Sequence, residues 1–144
     1  MKAFIKKNKT LLTVLLLIAV CFALYINILP NPWIWSEQSV IVNNPTFKDL
    51  SYLPKFFTKN YWLHEHPFSG TNLFRPMRAV SFTLEYALFG LDPKPAHITN
   101  IALHAGTTVM IFLIFKKITK SFLVGFLTAL FFAAHPGHTE TIDW

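Results

Sequence analysis

Glu37 stands in Trp35-Ser36-Glu37, a few residues beyond a long apolar run, so its carboxylate is tethered close to a membrane surface. A carboxylate so placed acts as a general base or orients a hydroxyl; the plainer alternative is a solvated loop acid. Arg75, Arg78, Ser81 and Glu85 follow at steps of three, three and four, which makes one polar stripe on a helix. Two guanidinium groups one turn apart clamp a phosphate in forked geometry, or else pair with Glu85 and anchor to lipid headgroups. His97, Asn100 and His104 share a helix face that Thr107 or Thr108 continues, suited to a donor-lined cavity or to hydrogen bonding between helices. The densest polar cluster is His135-Pro136-Gly137-His138-Thr139-Glu140. A zinc-protease pattern needs two His on one regular helix, which Pro136-Gly137 forbids. His64-Glu65-His66 would converge only in an extended loop. No metal site is assigned, and a divalent cation is left open.

These groups need elements to hold them, and the elements are apolar. Leu11 to Leu29 is about as long as the ~20 residues a bilayer-crossing helix requires. It lacks the small-residue cleavage site of a signal peptide and reads as a span. Further runs cover Ile98–Phe115 and Ser121–Ala134. The expectation is an all-α integral membrane chain: basic N-terminus 1–10, spans 11–29, 98–115 and 121–134, a non-cytoplasmic loop 30–97, a cytoplasmic turn 116–120, and a second outer segment from 135 to 144. Lys2 to Lys9 and the lysines 116, 117 and 120 then share the cytoplasmic side, as the positive-inside rule asks. The long outer loop should carry interfacial amphipathic helices. In one, Phe47, Leu50, Leu53, Phe56 and Phe57 recur at helical spacing and Pro54 breaks the pattern; the other starts at Pro76 and ends at Gly90. Pro93 and Pro95 read as a rigid approach to the second span.

Composition agrees and excludes other classes. Hydrophobic residues make up 53% of the 144 and charged ones 14%, which excludes disorder and an ordinary soluble domain. The single cysteine, Cys21, excludes a disulfide scaffold. The formal charge of +6 sits in lysine clusters beside apolar runs, which points to a membrane surface and not to nucleic acid.

Phe74-Arg75-Pro76-Met77, Leu88-Phe89-Gly90-Leu91-Asp92-Pro93, His97, Asn100, Leu103-His104 and Phe131 through Glu140 occur in an order that closely resembles the membrane region of the TPR-bearing transmembrane O-mannosyltransferases of the GT-C superfamily. That pattern runs Arg-Pro-Leu, Gly-Leu-x-Pro, His-x-x-Asn-x-x-x-His and His-Pro-Val-His-Thr-Glu. Trp35-Ser36-Glu37 and Asn44-Pro45 resemble the family's aromatic-Asp-Asp and Asn-Pro entry, with one acid of the pair replaced by Ser36. The family continues into further spans and TPR repeats, so the match covers its first part and the chain is expected to be a fragment with a partial GT-C-like fold.

The resemblance implies transfer of a sugar, mannose above all, from a polyprenyl-phosphate donor to a protein Ser/Thr hydroxyl on the outer membrane face; the lipid-linked sugar is the donor substrate and no cofactor is assigned. Glu37 would be the base, and Arg75, Arg78, His97, Asn100, His104, His135, His138 and Glu140 would bind substrate. Its partners would be membrane lipid, the lipid-linked donor, a protein acceptor and the remaining spans with their TPR region. The setting would be a bacterial cytoplasmic membrane or, alternatively, the endoplasmic reticulum. The competing readings are a non-catalytic membrane assembly subunit and a small His-rich carrier of metal ions or protons.

Overall fold

A computed structural model describes residues 2–33, 41–58 and 74–143. Every regular element among them is helical. Five α-helices appear: α1 (Lys2–Tyr25), α2 (Pro76–Phe89), α3 (Pro93–Thr119), α4 (Phe122–Ala134) and α5 (Thr139–Asp143). The chain divides into two compact units, one of residues 30–96 and one of 1–29 with 97–144.

The second of these is built from α1, α3 from His97 onward, α4 and α5. Its core lies in tiers: Leu17, Phe112 and Ala129; then Cys21, Ala105 and Ala133; then Tyr25, Ile28, Ile101 and Ile142. Small side chains at facing positions let helices of this kind approach closely. Gly125 marks the tightest place, since a Cβ there would fall 2.8 Å from the Lys116 backbone nitrogen and 2.9 Å from the Phe112 carbonyl oxygen. Threonine hydroxyls turn back onto their own helix, as Thr13 does to Lys9, Thr107 to Leu103 and Thr108 to His104, which bonds these three groups within their own helices. Outward positions such as Leu11, Leu103, Leu123 and Phe131 are apolar and exposed, which is the surface a helix offers to lipid.

Among the described residues two helical stretches are long and apolar enough to cross a membrane, Asn8–Ile28 and Pro93–Thr119. A third candidate is a bent pair, Phe122–Ala134 with Pro136–Ile142, meeting at 51°. The 13 residues of α4 reach roughly 20 Å, short of a ~30 Å hydrocarbon core. The first stretch begins at Asn8, whose backbone is non-helical inside α1. The expected turn over 116–120 is shorter than its range, because α3 continues through Lys116 and Lys117 to Thr119. Cations in a last turn complement the negative end of the helix, so the lysines extend α3 instead of ending it. Lys120, at φ 54°, makes the turn, and Ser121 caps α4 through the Val124 N–H.

In the unit of residues 30–96, α2 packs on two 3-10 segments, Pro45–Lys48 and Leu50–Phe57. Asn44 opens the first by accepting the Thr46 N–H at 3.0 Å, and Asp49 opens the second by accepting the Ser51 N–H at 2.8 Å. Phe47, Phe56 and Ala79 form one core cluster and Ile41, Phe82 and Ala96 another, with Trp33 against the latter. Pro54 does not break its segment. It lies inside a continuous 3-10 stretch, a tighter winding in which the i−4 clash of an α-helix does not arise. α2 runs between the expected signals, with Pro76 in its first turn and Gly90 as its cap at φ 71°, a value that favours glycine. Pro93 and Pro95 also differ from expectation, since both lie in the first turn of α3, where a missing N–H costs no hydrogen bond. Asp92 caps that turn through the Lys94 N–H.

Candidate functional site

The end of α4 sets the geometry. Ala133 would normally receive the N–H of Gly137, but that N–H donates to His135 Nδ1 at 3.1 Å, and Pro136 has none to offer. Two side chains from other helices take over the buried carbonyl. Tyr25 donates its hydroxyl to Ala133 O at 3.2 Å, and His104 Nε2 lies 3.3 Å from the same oxygen. A carbonyl only accepts, so that contact assigns the His104 proton to Nε2. Nine residues on, Asn100 donates through Nδ2 to the Ile142 carbonyl at 3.2 Å. Tyr25 of α1 and the polar face of α3 thereby hold both ends of the segment 133–142.

Between those anchors the imidazole rings gather. His104 lies 5.3 Å from His138 between centroids, and His138 lies 5.6 Å from His135. Phe132 stacks on His104 at 21° and touches the His138 ring at 4.4 Å, so aromatic faces fix both rings. His135 and Glu140 are exposed, His138 is half-buried, and His97 is buried in the same unit. His135 Nδ1 accepts a hydrogen bond and so carries no proton, which leaves Nε2–H free to donate. Such an arrangement presents imidazole donors to an anion. Among the described residues no three His, Cys, Asp or Glu side chains are grouped closely enough to hold a metal ion.

The arginines belong to the other unit. Arg75 is exposed at the residue before α2, and the Arg78 guanidinium lies over the Phe82 ring at 5.3 Å. Glu85 accepts the Ser81 hydroxyl at 3.2 Å. Nearby, Asp49 accepts both the N–H and the hydroxyl of Ser51, which hold its carboxyl below the ordinary range, with Lys55 adding a smaller pull in the same direction. Glu37, with Trp35 and Ser36, lies outside the described residues, as do His64, Glu65 and His66. The residues that flank Glu37's segment, Trp33 and Ile41, pack in one cluster with Phe82. Trp33 is tied down by donating Nε1–H to the Leu91 carbonyl at 2.7 Å.

The structure therefore joins Asn100, His104, His135 and His138 in one constellation and sets Arg78 on α2 with Arg75 just before its first turn. The sequence reading missed Tyr25, hidden as one more aromatic residue in an apolar run. The available signal was its hydroxyl, which a span must satisfy internally.

No family model and no solved structure matches the chain. Curated proteins do. Human protein O-mannosyl-transferase TMTC2 is 32% identical over 130 residues, 86% of this chain and 15% of that protein. Human TMTC3 is 30% identical over 141 residues, 94% of this chain and 15% of that protein. Tmtc1 of Drosophila melanogaster is 28% identical over 125 residues, again 86% and 15%. The chain spans about 15% of the length of these relatives. Over most of its own length, then, the chain is a homologue of the TMTC-type protein O-mannosyl-transferases.

Proposed function

We propose that this chain forms part of a membrane glycosyltransferase that moves a sugar, mannose above all, from a polyprenyl-phosphate donor to a protein Ser/Thr hydroxyl on the non-cytoplasmic face. The observation that carries the proposal is the likeness to proteins named O-mannosyl-transferases across 86–94% of the chain. The chemistry is consistent with it. A lipid-linked donor requires a site at a membrane surface, a phosphate leaving group requires cationic or N–H donors, and an attacking hydroxyl requires a base. Arg75, Arg78, His135 and His138 are donors of the right kind, Glu140 is a nearby acid on the His-bearing segment, and Glu37 is the base. His97, Asn100 and His104 belong with the His-bearing segment, on the polar face of α3.

The setting is a bacterial cytoplasmic membrane or, alternatively, the endoplasmic reticulum membrane, and the curated relatives named above are animal proteins. A second reading is favoured by one specific observation: Asn100 and His104 both engage backbone carbonyls of the 133–142 segment. That use suits a non-catalytic assembly subunit as well as a transferase.

The test is binding of polyprenyl phosphate to the purified chain in vesicles, followed by Trp fluorescence. The transferase reading expects saturable binding that Arg78→Ala weakens more than Arg78→Lys does, since Lys keeps the charge but not the fork. Binding equal in all three proteins would assign Arg78 to headgroup anchoring, and no saturable binding at all would favour the assembly subunit.

A further inference from the structure

At the end of the bundle opposite the histidine segment, Lys9, Thr10, Phe112, Lys116 and Phe122 close a small circuit drawn from three helices. Lys116 donates from Nζ to the Thr10 hydroxyl at 2.6 Å, and its Nζ also lies 5.7 Å from the Phe112 ring centroid. Phe122 meets Phe112 edge-on at 5.5 Å, and Lys9 Nζ sits 3.8 Å above the Phe122 ring. Two ammonium groups thus share one aromatic pair. No carboxylate is available nearby in sequence, since the first acidic residue is Glu37 and none lies between Asp92 and Glu140.

We propose that this circuit binds the phosphate of an anionic phospholipid, with Lys9 and Lys116 as its two cationic ligands. Each ammonium has three N–H donors, and Lys116 commits one to Thr10. Like charges drawn together by a shared aromatic surface repel, and an anion between them converts that repulsion into attraction. The N-terminus of α4, starting at Phe122, adds positive potential at the same place. A lipid fits better than free phosphate because Leu11, Ile118 and Leu123, which flank the circuit on the three helices, are apolar and exposed, as a surface for acyl chains would be. The positive-inside rule asks only that lysines lie on one side; the circuit adds a defined place for one headgroup.

The test uses the purified chain in phosphatidylcholine vesicles titrated with phosphatidylglycerol. Thermal stability is read by circular dichroism, and lipid retained after release into detergent is read by native mass spectrometry. The wild type should be stabilised saturably and keep one phosphatidylglycerol. Apparent affinity should fall roughly five-fold for each lysine neutralised, in Lys9→Gln and Lys116→Gln, because one cation near such a surface is worth about 1 kcal/mol. Lys116→Arg should keep the preference and Lys48→Gln, in the other unit, should leave it untouched. Equal stabilisation of wild type and the double glutamine variant would overturn the proposal. So would the same saturable effect from inorganic phosphate with phosphatidylcholine alone, which would make the site one for a free anion. If the glutamine variants lose helicity, Lys9→Arg with Lys116→Arg decides: retained preference supports the site, and lost preference overturns it.

Discussion

Tyr25 and His104 donate to one oxygen, and that sharing has consequences that either residue alone does not. A single hydrogen bond contributes about 0.5–1.5 kcal/mol net, whereas a buried carbonyl left with no donor costs about 1–3 kcal/mol. Tyr25→Phe keeps the ring against His104 and leaves one donor, so it should destabilise the chain by about 1 kcal/mol. The double variant with His104→Leu should exceed the sum of the two single changes, because only then is Ala133 O orphaned. Unfolding of the four proteins in one detergent measures this, and strict additivity would refute the shared acceptor. Asp49 supplies a pH test in the other unit. Its carboxyl is lowered by the Ser51 bonds, so the stability it adds is present above the ordinary carboxyl value of ~3.9 and disappears as pH falls through the lowered folded value. A carbon-13 titration should place its midpoint below that of a free Asp, and Ser51→Ala should raise it. At this scale the spacing of His97, Asn100 and His104 was legible as a single helix face. Which carbonyls that face would meet was not, because the partners lie 29 and 42 residues away.

Among the elements, apolar runs and Pro/Gly signals fixed α2 and the cores of α1, α3 and α4 from sequence. The ends were harder. The lysines read as a turn extend α3, and the prolines read as an approach begin it, since a basic last turn and a proline-bearing first turn are both compatible with helix. The stretch from Phe47 to Phe57 has the spacing of an α-helix yet forms two 3-10 segments on either side of an extended Asp49, because apolar residues three apart line one face of either winding. Gly125 carried no signal in sequence beyond its size. A methyl group there meets the backbone of α3, which has no flexible side chain to move aside. Gly125→Ala should therefore destabilise the α3–α4 hairpin by about 1–3 kcal/mol despite the higher helix propensity of Ala. Gly106, with nothing within 4 Å of its added Cβ, is the control, and Gly106→Ala should be neutral or stabilising. Equal effects at the two positions in a thermal melt would mean that α4 does not approach α3 so closely.

For the molecule as a whole, membrane character was legible in composition, and the likeness to O-mannosyl-transferases in a handful of ordered motifs. The placement of the arginine and histidine groups in two separate units was not, since motif order along a chain says nothing of which contacts are local. The topology implied by the lysine clusters is that Lys120 faces the cytoplasm and Thr139, in the bent continuation of α4, the opposite side. Reporter fusions at the two positions should read opposite compartments, and a common compartment would make the bent pair a re-entrant loop. The most direct test of the proposed function is sugar transfer itself, in membranes carrying the full product of this gene, from polyprenyl-phosphate mannose to a Ser/Thr peptide, comparing wild type with Glu37→Gln. The amide keeps size and hydrogen bonding but cannot accept a proton, so turnover should fall by about 10²–10⁴-fold while donor binding is retained. Unchanged turnover in the Gln variant would contradict the assignment of Glu37 as base, and absence of transfer by the wild type would contradict the function.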